Sequence, residues 1–151
     1  MTIHIRTATY ADIATIATLV LALLDELSGD EPSGYSLRDL SDRTSRLMSA
    51  GDVSAIIAER SREAVGVVVL NSCASLYAGR FGEITELYVK PALRSSGAGA
   101  ALLSAACEYG RERFWSRLEV GTPEQPAWVR TLEFYRRHHF IETGVRLKLP
   151  L

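Results

Sequence analysis

Val89-Lys90-Pro91-Ala92-Leu93-Arg94-Ser95-Ser96-Gly97-Ala98-Gly99-Ala100-Ala101-Leu102-Leu103 is the segment that decides how this chain folds. An apolar strand runs into a proline, a short turn holds Arg94, Gly97 and Gly99, and a helix of small residues starts at once. The start of a helix leaves several backbone N–H groups without intrahelical acceptors, at the positive end of the helix dipole. With Arg94 beside them, these amides form an anion site suited to a diphosphate. Gly97 and Gly99 remove the Cβ atoms that would hold a ligand away from the backbone. A Walker A loop is a poor match, because no lysine follows either glycine. A dinucleotide fingerprint needs a third glycine where Leu102 stands.

Upstream of the turn, residues 83–89 alternate as a strand should. Regular alternation puts Ile84, Glu86 and Tyr88 on one face and Glu83, Thr85, Leu87 and Val89 on the other. Glu86 falls mid-strand among apolar neighbours, where an acid is costly to bury without a purpose or a partner. It is favoured over Glu83 as the candidate general base, with a structural ion pair as the competing reading. Downstream, a helix is expected over residues 98–114. The N-terminal part reads as a strand over 3–7, then a capping box from Thr9 to Asp12. Ile13, Ile16, Ala17, Val20, Leu24 and Leu27 recur behind it at helical spacing. Residues 28–34 break that helix as a loop, and Ser36 caps a second helix closed by Gly51 and Asp52. Runs 53–58 and 65–70 read as an antiparallel hairpin, and 71–80 as a connection of unassigned shape. A short strand at 118–120, a helix over 127–138 and a final strand over 140–149 complete the order. This predicts an α/β (α+β) fold, 1–151 being one domain with a central mixed, mostly antiparallel sheet flanked by helices.

Composition narrows the functional classes. The chain has 151 residues, 47% hydrophobic and 23% charged, which is ordinary globular composition rather than disorder. A net charge of -1 advertises neither nucleic acid nor an anionic membrane. Cys73 and Cys107 are too few for a disulfide framework or a structural zinc site, and Cys107 reads as a small buried thiol. The N-terminus lacks a signal-peptide pattern, and the longest apolar run is too short to span a bilayer. A cytoplasmic protein without a metal is the expectation. Asp25, Glu26, Asp30 and Glu31 make the region around the first loop acidic, a feature that attracts cationic amines or is simply a solvated helix end.

Arg94-Ser95-Ser96-Gly97-Ala98-Gly99, following a strand that ends Val-x-Pro, resembles the Arg/Gln-x-x-Gly-x-Gly/Ala signature of the GNAT superfamily of acyl-CoA-dependent N-acetyltransferases. The resemblance extends over almost the whole chain. Ile5-Arg6-Thr7-Ala8-Thr9 with Asp12 is similar to the family's first strand and helix cap. Phe134-Tyr135-Arg136-Arg137-His138-His139-Phe140 is similar to its Phe-Tyr-x-x-x-Gly-Phe block. The departures are His139 for the usual glycine, Trp128 for an asparagine seven positions before the tyrosine, and Ser95 where glycine is common.

The resemblance implies acetyl-CoA as co-substrate, its pyrophosphate held by Arg94 and by the N–H groups of Ser96, Gly97, Ala98, Gly99 and Ala100, with Ser95 in the same loop. The strand edge at Leu87, Tyr88 and Val89 would pair with the pantetheine arm, as an added strand does. Alkyl amines have a pKa near ~10, so an acceptor amine must first lose a proton, here to Glu86. The Val89 amide would stabilise the developing oxyanion, and the Tyr135 hydroxyl would protonate the departing thiolate. The expected acceptor is a small-molecule amine. A catalytically idle acyl-CoA-binding module and a protein or peptide N-acetyltransferase stay open as alternatives. Homodimerisation through the apolar final strand, with Leu147, Leu149 and Leu151, is a family-level expectation.

Overall fold

β-Branched runs on either side of a tight charged turn favour a hairpin, and the computed structural model of the chain, which describes residues 2–124 and 127–151, builds its sheet around one. The strands are β1 (His4–Thr7), β2 (Val53–Arg60), β3 (Glu63–Ser75), β4 (Gly79–Val89) and β5 (Leu118–Val120), in the spatial order β1-β2-β3-β4-β5. The first four pair antiparallel. Beside β4, Ser116 N–H donates to Arg80 O and Gly82 N–H to Arg117 O, at 2.9 and 3.1 Å. These two bonds advance together along both chains, which is parallel pairing, so the sheet is mixed as expected. The segment 71–80 is no loose connection. It continues β3, turns over residues 76–78 and opens β4, with Ser75 paired to Gly79. No β-branched residue marks that stretch, so its strand character comes from the partner strand.

The helices are α1 (Ile13–Ser28), α2 (Leu37–Ser49), α3 (Ala98–Glu112) and α4 (Val129–Arg137). Ser36 caps α2 by accepting from Asp39 N–H at 3.1 Å. At the entry to α1, Asp12 closes the capping box and takes a two-pronged bond from Arg6, 2.8 Å on each prong. That guanidinium holds the Asp12 carboxyl down to about 2. One face of the sheet meets α1 and α2: Ile16, Ala17, Leu19, Val20 and Leu40 pack on Ala55, Ile57, Val67, Val69 and Tyr88. The opposite face meets α3. A Cβ added to Gly66 would lie 3.2 Å from Leu102 Cδ1 and 2.9 Å from Tyr88 O, so glycine lets that helix approach β3 closely. Cys107 is half-buried rather than fully enclosed. Among the described residues no helix is long and apolar enough to cross a membrane.

The chain divides into two compact units, 1–119 and 120–151. In the second, α4 ends in a Schellman turn: Phe140 N–H donates to Tyr135 O at 3.0 Å and His139 N–H to Arg136 O at 3.0 Å. The Phe140 and Tyr135 rings meet edge to face, 5.3 Å between centroids, completing the hydrophobic contact of that motif. The expected final strand over 140–149 is not formed; these residues have no strand assignment and are mostly exposed. Alternation of Val145, Leu147 and Leu149 gives a chain the potential to be a strand, but a strand exists only where another backbone edge pairs with it.

Candidate active site

The site begins at a defect in β4. Val69 pairs with Glu86 and Leu70 with Ile84, so Thr85 is an extra residue with no partner opposite it. Residues paired across a ladder share a face, and Val69 and Leu70 point to opposite faces. The bulge therefore turns Glu86 away from Ile84 and brings Glu83, Glu86 and Tyr88 together on the α1/α2 face. This corrects the regular alternation inferred from sequence, which set Ile84 with Glu86 and Glu83 opposite. Glu86 is half-buried, and its carboxyl sits above the ordinary carboxylate range, first because burial disfavours its charge. The Thr85 hydroxyl bonds to it and pulls the other way, and the nearby Glu83 charge adds to the rise. A carboxylate raised in this way is a stronger base than an ordinary one, which suits it to accept a proton from a substrate.

Beyond the bulge, the ladder decides which main-chain groups are free. Lys90 N–H donates to Val65 O at 2.8 Å, so Val89, paired with Gly66, is a non-hydrogen-bonded position of the ladder. Its N–H and C=O point away from β3, and those of Leu87 do likewise two residues back. Tyr88 differs. Its backbone groups face Val67 on β3, so it has no main-chain donor at the outer edge, contrary to its expected role beside Leu87 and Val89. β5 ends three residues past Arg117, level with about residue 85 of β4 given the parallel register, so it stops short of Leu87 and Val89.

After Val89 the chain makes a one-turn 3-10 helix over Pro91–Leu93 and reaches Gly97 in a left-handed conformation, φ 86°. A Cβ there would meet nothing within 4 Å, so the position is open and glycine is required by the backbone alone. The first intrahelical bond of α3 is Ala101 N–H to Gly97 O, at 3.0 Å. That leaves the N–H groups of Gly97, Ala98, Gly99 and Ala100 as orphan donors at the helix start. Ser96 does not join them, because its N–H donates to Leu93 O at 3.1 Å within the turn.

Arg94 stands beside these amides but is engaged elsewhere. Its Nε donates to Val89 O at 2.9 Å, and both terminal nitrogens grip Glu26 of α1, at 2.7 and 2.5 Å. The guanidinium also lies 5.5 Å from the centroid of the Tyr88 ring. Arg94 holds the Glu26 carboxyl below its usual range, so Glu26 is an ion-pair partner rather than free charge. This revises the acidic region expected near the first loop, since Asp25 and Glu26 lie on α1 and Glu26 is neutralised. Sequence gave no signal for the pair, whose members are 68 positions apart.

A cleft of about 620 Å³ opens on the same face, between α1, α2 and the sheet. Its walls include Ile16, Val20, Leu40, Leu47 and Val69; Glu86 is at the sheet and Arg43 on α2. In the second unit, Tyr135 is buried between Phe134 and Phe140, and burial pushes its phenol up, keeping the hydroxyl protonated at neutral pH. Among the described residues no group of three metal-ligating side chains comes together.

The sequence model of the acetyltransferase (GNAT) family matches residues 20–140. The chain belongs to this family. An N-acetyltransferase of Archaeoglobus fulgidus, itself uncharacterized, is 33% identical over 139 residues, covering 90% of each chain. Among the solved structures that share the fold are two acetyltransferases. A predicted acetyltransferase from Clostridium acetobutylicum, determined with acetyl-CoA, is 19% identical with a TM-score of 0.82, covering 99% of this chain and 96% of its own. An aminoglycoside acetyltransferase from an uncultured soil metagenomic sample, determined with trehalose, is 19% identical with a TM-score of 0.81 over the same shares.

As a GNAT family member the protein is an acetyl-CoA-dependent acetyltransferase. The family's motif glycine is His139 here, yet the turn is made in the glycine manner: His139 takes φ 71°, in the left-handed region. Histidine is strained there where glycine is not.

Proposed function

We propose that this GNAT acetyltransferase transfers the acetyl group of acetyl-CoA to a small primary amine, which attacks the thioester directly. Four free amides at the start of α3, beside the outward Val89 N–H, carry the reading. The residues present suit coenzyme A. The N–H groups of Gly97, Ala98, Gly99 and Ala100 take the diphosphate, with Arg94 and the flanking Ser95 and Ser96 completing the loop. Leu87 and Val89 offer the outer edge of β4 to the amides of the pantetheine arm. When bound, acetyl-CoA supplies the activated acyl group, and the chain's own groups do the rest. The Val89 N–H donates to the thioester oxygen as charge develops on it. Glu86 removes the ammonium proton of the acceptor, a role its raised pKa favours. Tyr135, at the family's motif tyrosine, returns a proton to the leaving sulfur, and its protonated state at neutral pH favours that role. We read residues 1–151 as one catalytic domain acting in the cytoplasm. The exposed apolar side chains of Ile141, Val145, Leu147 and Leu149 support a homodimer joined through that segment.

The test is free-thiol release from acetyl-CoA across a panel of small amines, with CoA binding followed by calorimetry. Binding and amine-dependent release are expected, and Gly99→Glu abolishes both by placing bulk and negative charge against the diphosphate. Unaltered CoA affinity in that variant overturns the loop assignment. Binding without release under any amine favours an idle acyl-CoA-binding module, and release with peptides alone favours a protein acetyltransferase.

A further inference from the structure

The cleft between α1, α2 and the sheet has an unequal distribution of charge. Glu86 stands at the sheet, apolar side chains such as Val20, Leu40 and Val69 form the walls, and exposed Arg43 stands on α2. Among the described residues no carboxylate forms an ion pair with Arg43, although Asp52 lines the same cleft. A polyamine brings no partner for Arg43, whereas a molecule with one amine and one anion finds an opposite charge for each. We infer that the acceptor is an amino carboxylate, its amine at Glu86, its apolar body along the walls and its carboxylate on Arg43. This rests on the acceptor site proposed above and names its substrate class. Arginine suits the part, since its planar fork pairs a carboxylate through two parallel bonds.

The purified chain of residues 1–151 is assayed for thiol release with 4-(2-aminoethyl)benzoate, with phenethylamine, which lacks the carboxylate, and with spermidine. We expect kcat/KM to be about tenfold higher for the benzoate than for phenethylamine, the difference lying in KM. Arg43→Gln brings that ratio close to one, and Arg43→Glu reverses the order in favour of spermidine. A ratio that Arg43→Gln leaves intact overturns the inference, as does a preference of the unaltered protein for spermidine. Equal rates with all three amines overturn the substrate class alone. Calorimetric CoA binding with no release from any amine overturns the transferase reading and this inference together.

Discussion

Removing the charge of Glu26 should make coenzyme A bind more tightly. Arg94 is held on Glu26 by two short bonds, and a diphosphate entering the loop competes for the same guanidinium. The side chains are 43% and 32% exposed, so water and salt already screen the pair. An exposed pair of this kind is worth about 0.5–1 kcal/mol, which sets the cost of releasing Arg94 to the ligand. Glu26→Gln keeps the shape and one carbonyl acceptor but loses the charge. We expect CoA affinity to rise about two- to fivefold, the equivalent of that energy. Titration calorimetry at low and high ionic strength checks it: the gain shrinks as salt rises, and pantetheine, which lacks the diphosphate, shows none. Equal or weaker CoA binding by Glu26→Gln would refute the competition, and would mean that Glu26 positions Arg94 instead of withholding it.

Glu86→Gln should lower kcat about a hundredfold, the scale of a lost general base, and remove an acid-limb inflection in kcat/KM lying above the ordinary carboxylate range. A raised folded-state pKa stabilises below the unfolded value and is lost as pH rises through the folded one, so the same variant should melt higher than the parent at pH 8; unchanged melting contradicts the burial cost. Asp12 has the opposite sign, lowered from 3.8 to about 2, so its contribution is present above about pH 4 and lost between about pH 4 and 2. With Arg6 a third exposed, Asp12→Asn should cost about 1–2 kcal/mol at pH 7 and flatten that acid limb in urea titrations, and an unchanged limb removes the pair from the stability account. His139→Gly should stabilise by about 1 kcal/mol by relieving the left-handed strain, seen as a higher melting temperature; a lower one would show that the imidazole makes a compensating contact.

Local signals carried the order of elements. The Ser36 cap, the helical spacing behind Ile13 and the turn from Pro91 to Gly99 each depend on neighbours in sequence, and each appears where expected. What the sequence concealed depends on distant partners. Thr85 looks like any alternating strand residue until Leu70 and Val69 fix its register, and that single insertion decides which acids meet on one face. Arg94 reads as a ligand for phosphate, but its resting partner comes from the far end of α1. Ser96 and Tyr88 lie within the predicted binding segments, yet turn and ladder geometry consume their main-chain groups. In the C-terminal segment alternation suggested a strand, and no pairing edge completes it among the described residues.

Titration of isotopically labelled protein with coenzyme A, following individual backbone amides by NMR, tests the assignment of the anion site most directly. Saturable shifts are expected at Val89, Gly97, Ala98, Gly99 and Ala100, with Ser96 and Tyr88 much less affected because their N–H groups are already bonded. Saturable binding that leaves those five amides unmoved would contradict it.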